Sequence, residues 1–185
     1  MQRRDKKTKI KDAFSLIEAL VAISILMIGI LSAFILVIRT LANTPHIQSR
    51  LIAANLAQEG VELVRQIRDD NFVLSGNFRD NLAAGTYQID SVDRKLNPFE
   101  KDNFLQFDNV DKLYSYQNGD KNPFYFQRKI IISNIEGKTN SFRVNVVMTW
   151  CVKRTESQCL ERPTYELNVE DHLYNYFNTT EQNEN

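Results

Sequence analysis

The sequence predicts an α+β protein in which a long N-terminal helix, apolar in its first half and amphipathic in its second, packs on a C-terminal antiparallel β-sheet. Three observations predict it. Residues 19–38 carry no charge, residues 46–69 place several apolar side chains at spacings of three and four, and residues 124–152 hold an aromatic and β-branched run and an alternating run on either side of a turn.

The chain opens on a basic cluster, Arg3, Arg4, Lys6, Lys7, Lys9 and Lys11 against only Asp5 and Asp12. The uncharged run from Ala19 to Ile38 follows, varied only by Ser24, Gly29 and Ser32. Twenty helical residues at about 1.5 Å each span roughly 30 Å, one crossing of a bilayer's hydrocarbon core. A core helix of a soluble protein would show a polar stripe, and this run has none. With the basic cluster before the run and only Arg39 directly after it, the positive-inside rule predicts a cytoplasmic N-terminus and an extracytoplasmic remainder. An ordinary secretory signal is the competing reading, with Thr40 and Ala42 as the small residues before a cut that would leave Asn43 first. The run is longer than the roughly 7–15 apolar residues such signals use.

Glu18 sits at the N-terminal edge of this run, after Phe14, Ser15, Leu16 and Ile17. A carboxylate there is poorly solvated by lipid, which makes it a functional candidate unless it lies shallow enough to reach the headgroups. The string from Ala13 to Leu20, Ala-Phe-Ser-Leu-Ile-Glu-Ala-Leu, behind a short basic leader and ahead of an unbroken apolar helix, resembles the prepilin signal of type IV pilins and type II secretion pseudopilins. The resemblance implies cleavage by a prepilin peptidase between Ala13 and Phe14, N-methylation of Phe14, and Glu18 as the fifth residue of the mature chain. It also implies a role for Glu18 in assembly: its carboxylate would neutralise the Phe14 amine of a neighbouring subunit, since buried charges are tolerated when paired. One departure is Ala13, where the family usually has Gly; its extra methyl must fit the peptidase's narrow site.

Pro45 predicts a break or kink, followed by an amphipathic helix from His46 to Asp69 whose apolar residues include Ile47, Leu51, Leu56, Val61, Val64 and Ile67. Glu62 and Arg65 are spaced to pair one turn apart. Residues 55–70 resemble the corresponding helix of minor pilins, and a nearly continuous helix over 14–69 would extend about 80 Å. Beyond Asn71, Phe124 to Ile135 and Ser141 to Val152 read as a hairpin around Glu136-Gly137-Lys138, Tyr165 to Val169 as a third strand, and Gly85 to Ile89 as a shorter one. Residues 93–123 read as loop. One strongly apolar sheet face calls for the amphipathic helix as its cover.

Cys151 and Cys159, the only cysteines, fall outside the cytoplasm on this topology, and a disulfide is favoured over two free thiols because the segment between them is polar and loop-like. The 23 basic and 23 acidic residues balance, so no global field attracts nucleic acid. His46 and His172 lie on different elements and no nucleophile or metalloprotease motif is present, so the sequence does not support an enzyme. Asp108-Asn109-Val110-Asp111 and Asn118-Gly119-Asp120-Lys121-Asn122 offer oxygen ligands but fit no regular calcium loop, and Asp and Asn serve turns equally well. No metal or other cofactor is expected. Tyr114, Tyr116, Phe124, Tyr125 and Phe126 would mostly be core, with an adhesive patch as the alternative. Asn178-Thr179-Thr180 matches a glycosylation acceptor, a short and unspecific pattern.

The organisation expected is a removable leader over 1–13, a membrane and filament-core helix over 14–38, its amphipathic continuation over 39–70, a β-rich extracytoplasmic head over 71–177 and a disordered tail over 178–185. The resemblance implies a structural subunit, a minor pilin or pseudopilin of a type IV pilus-like filament displayed at the cell surface. Its partners would be prepilin peptidase, other pilin subunits, the inner-membrane assembly platform and membrane lipid, with no nucleic acid or small-molecule ligand. The alternative is a permanently anchored extracytoplasmic binding or enzymatic domain.

Overall fold

The computed structural model describes residues 15–117, 119–121, 124–152, 155–161 and 165–176. The leader and the tail over 178–185, with its Asn178 acceptor, lie outside them. Helix α1 runs Leu16–Leu74. The chain divides into two compact units at Thr44/Pro45.

In the first unit every described residue of α1 from Leu20 to Thr44 is exposed. The helix is long and apolar enough to cross a membrane, with a mean hydropathy of 3.0 in its most apolar window. Its hydroxyl residues turn inward on their own backbone: Ser24, Ser32 and Thr40 donate to the carbonyls of Leu20, Ile28 and Leu36 at 2.8, 2.8 and 3.0 Å. Each hydroxyl is thus satisfied without water, as a hydrocarbon surrounding requires.

Pro45 lies inside the helix, which runs on as the expected amphipathic continuation, so of the break or kink expected there the break does not occur. The proline removes one donor and crowds the carbonyl four residues back, a local defect that the helical residues on both sides outweigh. The helix also outlasts its expected end at Asp69 by five residues. It stops where Gly76 takes a left-handed φ of 71° and returns its N–H to the Asn71 carbonyl at 3.1 Å.

The second unit is a five-stranded antiparallel sheet against which the later part of α1 is packed. The strands are β1 (Gly85–Gln88), β2 (Asn97–Pro98), β6 (Gln127–Ile135), β7 (Lys138–Trp150) and β8 (Tyr165–Tyr174), in the order β2-β1-β6-β7-β8. A short helix α2 (Glu156–Glu161) precedes β8, and β3 (Gln106–Phe107), β4 (Tyr114–Ser115) and β5 (Asp120–Lys121) form a small separate sheet. That sheet lies where a loop was expected, because two-residue strands leave no periodic signal. Ala53, Leu56, Ala57, Val61 and Val64 of α1 share one buried cluster with Ile130, Ile132, Val144, Val146, Met148 and Trp150 of the sheet. β8 continues five residues past its expected end. Asp171 interrupts the apolar alternation there, yet its inward carboxylate accepts from Arg65 at 2.7 Å.

The helix approaches the sheet closely at Gly60. A Cβ there would stand 3.0 Å from Arg128 Cδ and 3.1 Å from Val146 Cγ1. Alanine gains about 1 kcal/mol over glycine in an open helix. Here that gain is spent on crowding: Gly60→Ala is expected to leave stability unimproved and Gly60→Leu to lower it by about 1–3 kcal/mol. Urea midpoints of the full chain in detergent measure both.

Arg128, at the first inward position of β6, is fully buried. Its Nε and Nη2 donate to the Ile89 carbonyl, the former at 3.1 Å, and Nη1 donates to the Leu56 carbonyl of α1 at 3.0 Å. Glu59 Oε1 lies 3.6 Å from Nη1, an ion pair without a hydrogen bond, and that oxygen is buried with no hydrogen-bond partner. The Tyr116 hydroxyl donates to the Arg128 carbonyl at 3.1 Å. Burial pushes this hydroxyl up to about 12, against the opposing charge of Arg128. Because the folded value lies above the unfolded one of about 10, the group's contribution is complete below pH 10 and is lost as pH rises towards 12. Tyr116→Phe is expected to flatten the fall of the urea midpoint between pH 10 and 12, a component of at most about 3 kcal/mol.

Candidate functional site

The residues singled out by sequence lie at the start of α1. Ala13 and Phe14 fall outside the described residues. Ser15 immediately precedes the helix, and its carbonyl accepts from the N–H groups of Glu18 and Ala19 at 3.0 and 3.1 Å. Glu18 is exposed in the first turn, and with Arg39 it is the only charged residue between Leu16 and Thr44. The sequence reading missed that Ser15-Leu16-Ile17-Glu18 also has the form of a capping box, in which an acidic or amide side chain at the fourth position supports the helix start. The carboxylate also suits the positive end of the helix dipole. Glu18 therefore has a local reason to be there besides any intermolecular one.

Within the second unit, further side-chain ties besides that of Arg128 hold α1 to the sheet and to the residues just after β8. Tyr165 of β8 shares a 2.9 Å hydrogen bond with His46 Nδ1, and Trp150 Nε1 donates to Ser49 Oγ at 3.1 Å. Further along, Arg65 bridges Glu62 and Asp171 at 2.5 and 2.7 Å, and the Arg68 guanidinium lies 4.7 Å from the Tyr176 ring centre. The hydrogen bond that Arg65 donates to Asp171, with support from Glu62, raises Arg65 above its ordinary value against a desolvation effect of opposite sign. His46 is thus a tie between helix and strand, while His172 contacts Glu170 at 3.2 Å within β8.

The remaining candidates resolve into structural roles. Cys151 and Cys159 are bonded to each other, joining the end of β7 to α2. Asp108 Oδ1 accepts from the N–H groups of Val110 and Asp111 within a turn, and Asn109 donates to Asp120 of β5 at 2.9 Å, tying that turn to the small sheet. Asn118 and Asn122 lie outside the described residues. Phe126 is core and Tyr114, Tyr116 and Phe124 pack against it; Tyr125 instead meets Phe104 away from that cluster.

Compared with protein families, residues 9–34 match the prokaryotic N-terminal methylation motif. This motif is typical of type IV pilins and pseudopilins, and it covers the basic leader's end, Glu18 and most of the apolar run. No curated protein and no solved structure matches the chain. The motif and the long apolar helix together point to membrane anchoring and to processing by prepilin peptidase.

Proposed function

We propose that the chain is a structural subunit, a minor pilin or pseudopilin, of a type IV pilus-like filament. It is held in the membrane by the 14–38 segment with its head outside the cytoplasm, and assembles through that helix once the leader is removed. Cleavage falls between Ala13 and Phe14, the Phe14 amine is methylated, and Glu18 pairs with the amine of the neighbouring subunit. The observation that carries this reading is the methylation motif at the start of an apolar helix with no polar stripe. The head supports it too: a sheet clasped to the later part of α1 by several separate side-chain ties would keep its register on the helix as the subunit is drawn from the membrane.

Co-expression with a prepilin peptidase tests this. Intact mass and N-terminal peptide sequencing are expected to show a chain beginning at Phe14 and carrying an N-methyl group. An uncut N-terminus would mean a permanent anchor, and a start at Asn43 an ordinary exported protein. With Ala13→Gly, cleavage is expected to accelerate, since the family's usual residue removes one methyl from the peptidase site.

A further inference from the structure

The sheet face turned away from α1 carries a cavity of about 300 Å³. Its floor is a single cross-strand row, Gln127 paired with Thr149 and Thr149 with Glu166. Its walls are the rings of Phe99, Phe104 and Tyr125. Phe104 and Tyr125 meet edge to face at 5.6 Å, and the Gln127 side-chain amide donates to the Lys101 carbonyl, fastening the 99–104 segment over the floor. Tyr125 holds a left-handed φ of 46°. That conformation costs a residue with a side chain about 1–2 kcal/mol, and such strain concentrates where a site needs a side chain placed against its preference.

Charge narrows the ligand. Lys101 and Lys129 both line the cavity, Lys129 standing 6.0 Å from the Phe99 ring centre. Among the described residues neither ammonium forms an ion pair, nor does Glu166.

We propose that this cavity binds an acidic pyranose, a sugar ring bearing one carboxylate. Aromatic walls suit the C–H faces of such a ring, the two ammonium groups pair with its carboxylate, and the amide, hydroxyl and carboxylate of the floor take its hydroxyls. The volume lies at the small end of ligand sites, the size for one ring. An aromatic acid would satisfy the walls and the lysines but leave the polar floor unpaired, which costs affinity. A neutral sugar would forgo the charge-assisted bonds. The head would then have a small-molecule partner that the sequence reading did not expect, independently of whether the chain enters a filament.

The full-length protein in detergent micelles is titrated with glucuronic acid, glucose and 3-phenylpropionate by calorimetry, with saturation-transfer NMR as a second readout. Glucuronate is expected to bind saturably, with glucose and phenylpropionate at least about tenfold weaker. Lys129→Met should weaken glucuronate about tenfold and Glu166→Gln should weaken it less, while Lys138→Met, at the exposed β6–β7 turn, should change nothing. No saturable binding, equal binding of glucose, tighter binding of phenylpropionate, or wild-type affinity in a folded Lys129→Met protein would each overturn the proposal.

Discussion

Glu18→Gln is expected to leave the chain cut and methylated at Phe14 and stable in the membrane, yet to lower its incorporation into filaments at least about tenfold. Glutamine preserves the Ser15-x-x-Gln form of the capping box, so the helix start is retained and only the charge is lost. On the proposed pairing, the methylated amine of a neighbour in the filament core would then have no counter-charge, and breaking a buried pair by removing one member costs about 3–5 kcal/mol. Glu18→Ala removes cap and charge together and should do no worse in assembly than Glu18→Gln if pairing is what matters. Counting tagged subunits in sheared filaments against the membrane pool separates the roles. Wild-type incorporation of Glu18→Gln would reduce Glu18 to a helix cap.

Arg128→Met should be the most damaging single change in the head, lowering stability by about 3 kcal/mol. The guanidinium supplies both side-chain donors seen at the Ile89 carbonyl and one to the Leu56 carbonyl, and it is the cation nearest the buried Glu59 oxygen. Methionine fills much of the volume but donates to neither carbonyl: the Leu56 carbonyl keeps its helical partner, while the Ile89 carbonyl loses two side-chain donors and the Glu59 carboxylate loses its cation. Adding Glu59→Gln should recover part of the loss, because it removes the carboxylate left without a cation. Urea midpoints of wild type, both single variants and the double variant in detergent form the cycle. Additive effects would show that Glu59 and Arg128 are not coupled.

Gly60 and Arg128 show where reading the sequence stopped. A glycine in the middle of an amphipathic helix and an arginine ahead of a run of isoleucines carry no local sign of what they meet. In the fold each explains the other: the missing Cβ at Gly60 leaves room for the Arg128 side chain to reach the helix carbonyl of Leu56. Asp171 and Pro45 belong to the same class. One broke a strand pattern that Arg65 repairs from 106 positions away, and the other broke a helix pattern that its neighbours maintain.

What the sequence determined by itself was whatever depends on local order along the chain. The uncharged run, the methylation motif around Glu18, the apolar stripe of the later helix, the β6–β7 turn and the pairing of the only two cysteines are all properties of residues close in sequence. The tertiary structure alone decided which polar residues go inside, how far β8 extends, and that a ring-lined cavity opens on the outer sheet face. Those outcomes depend on partners distant in the chain, and a buried charge or a strained tyrosine is tolerable only once the fold has brought its partners within a few ångströms.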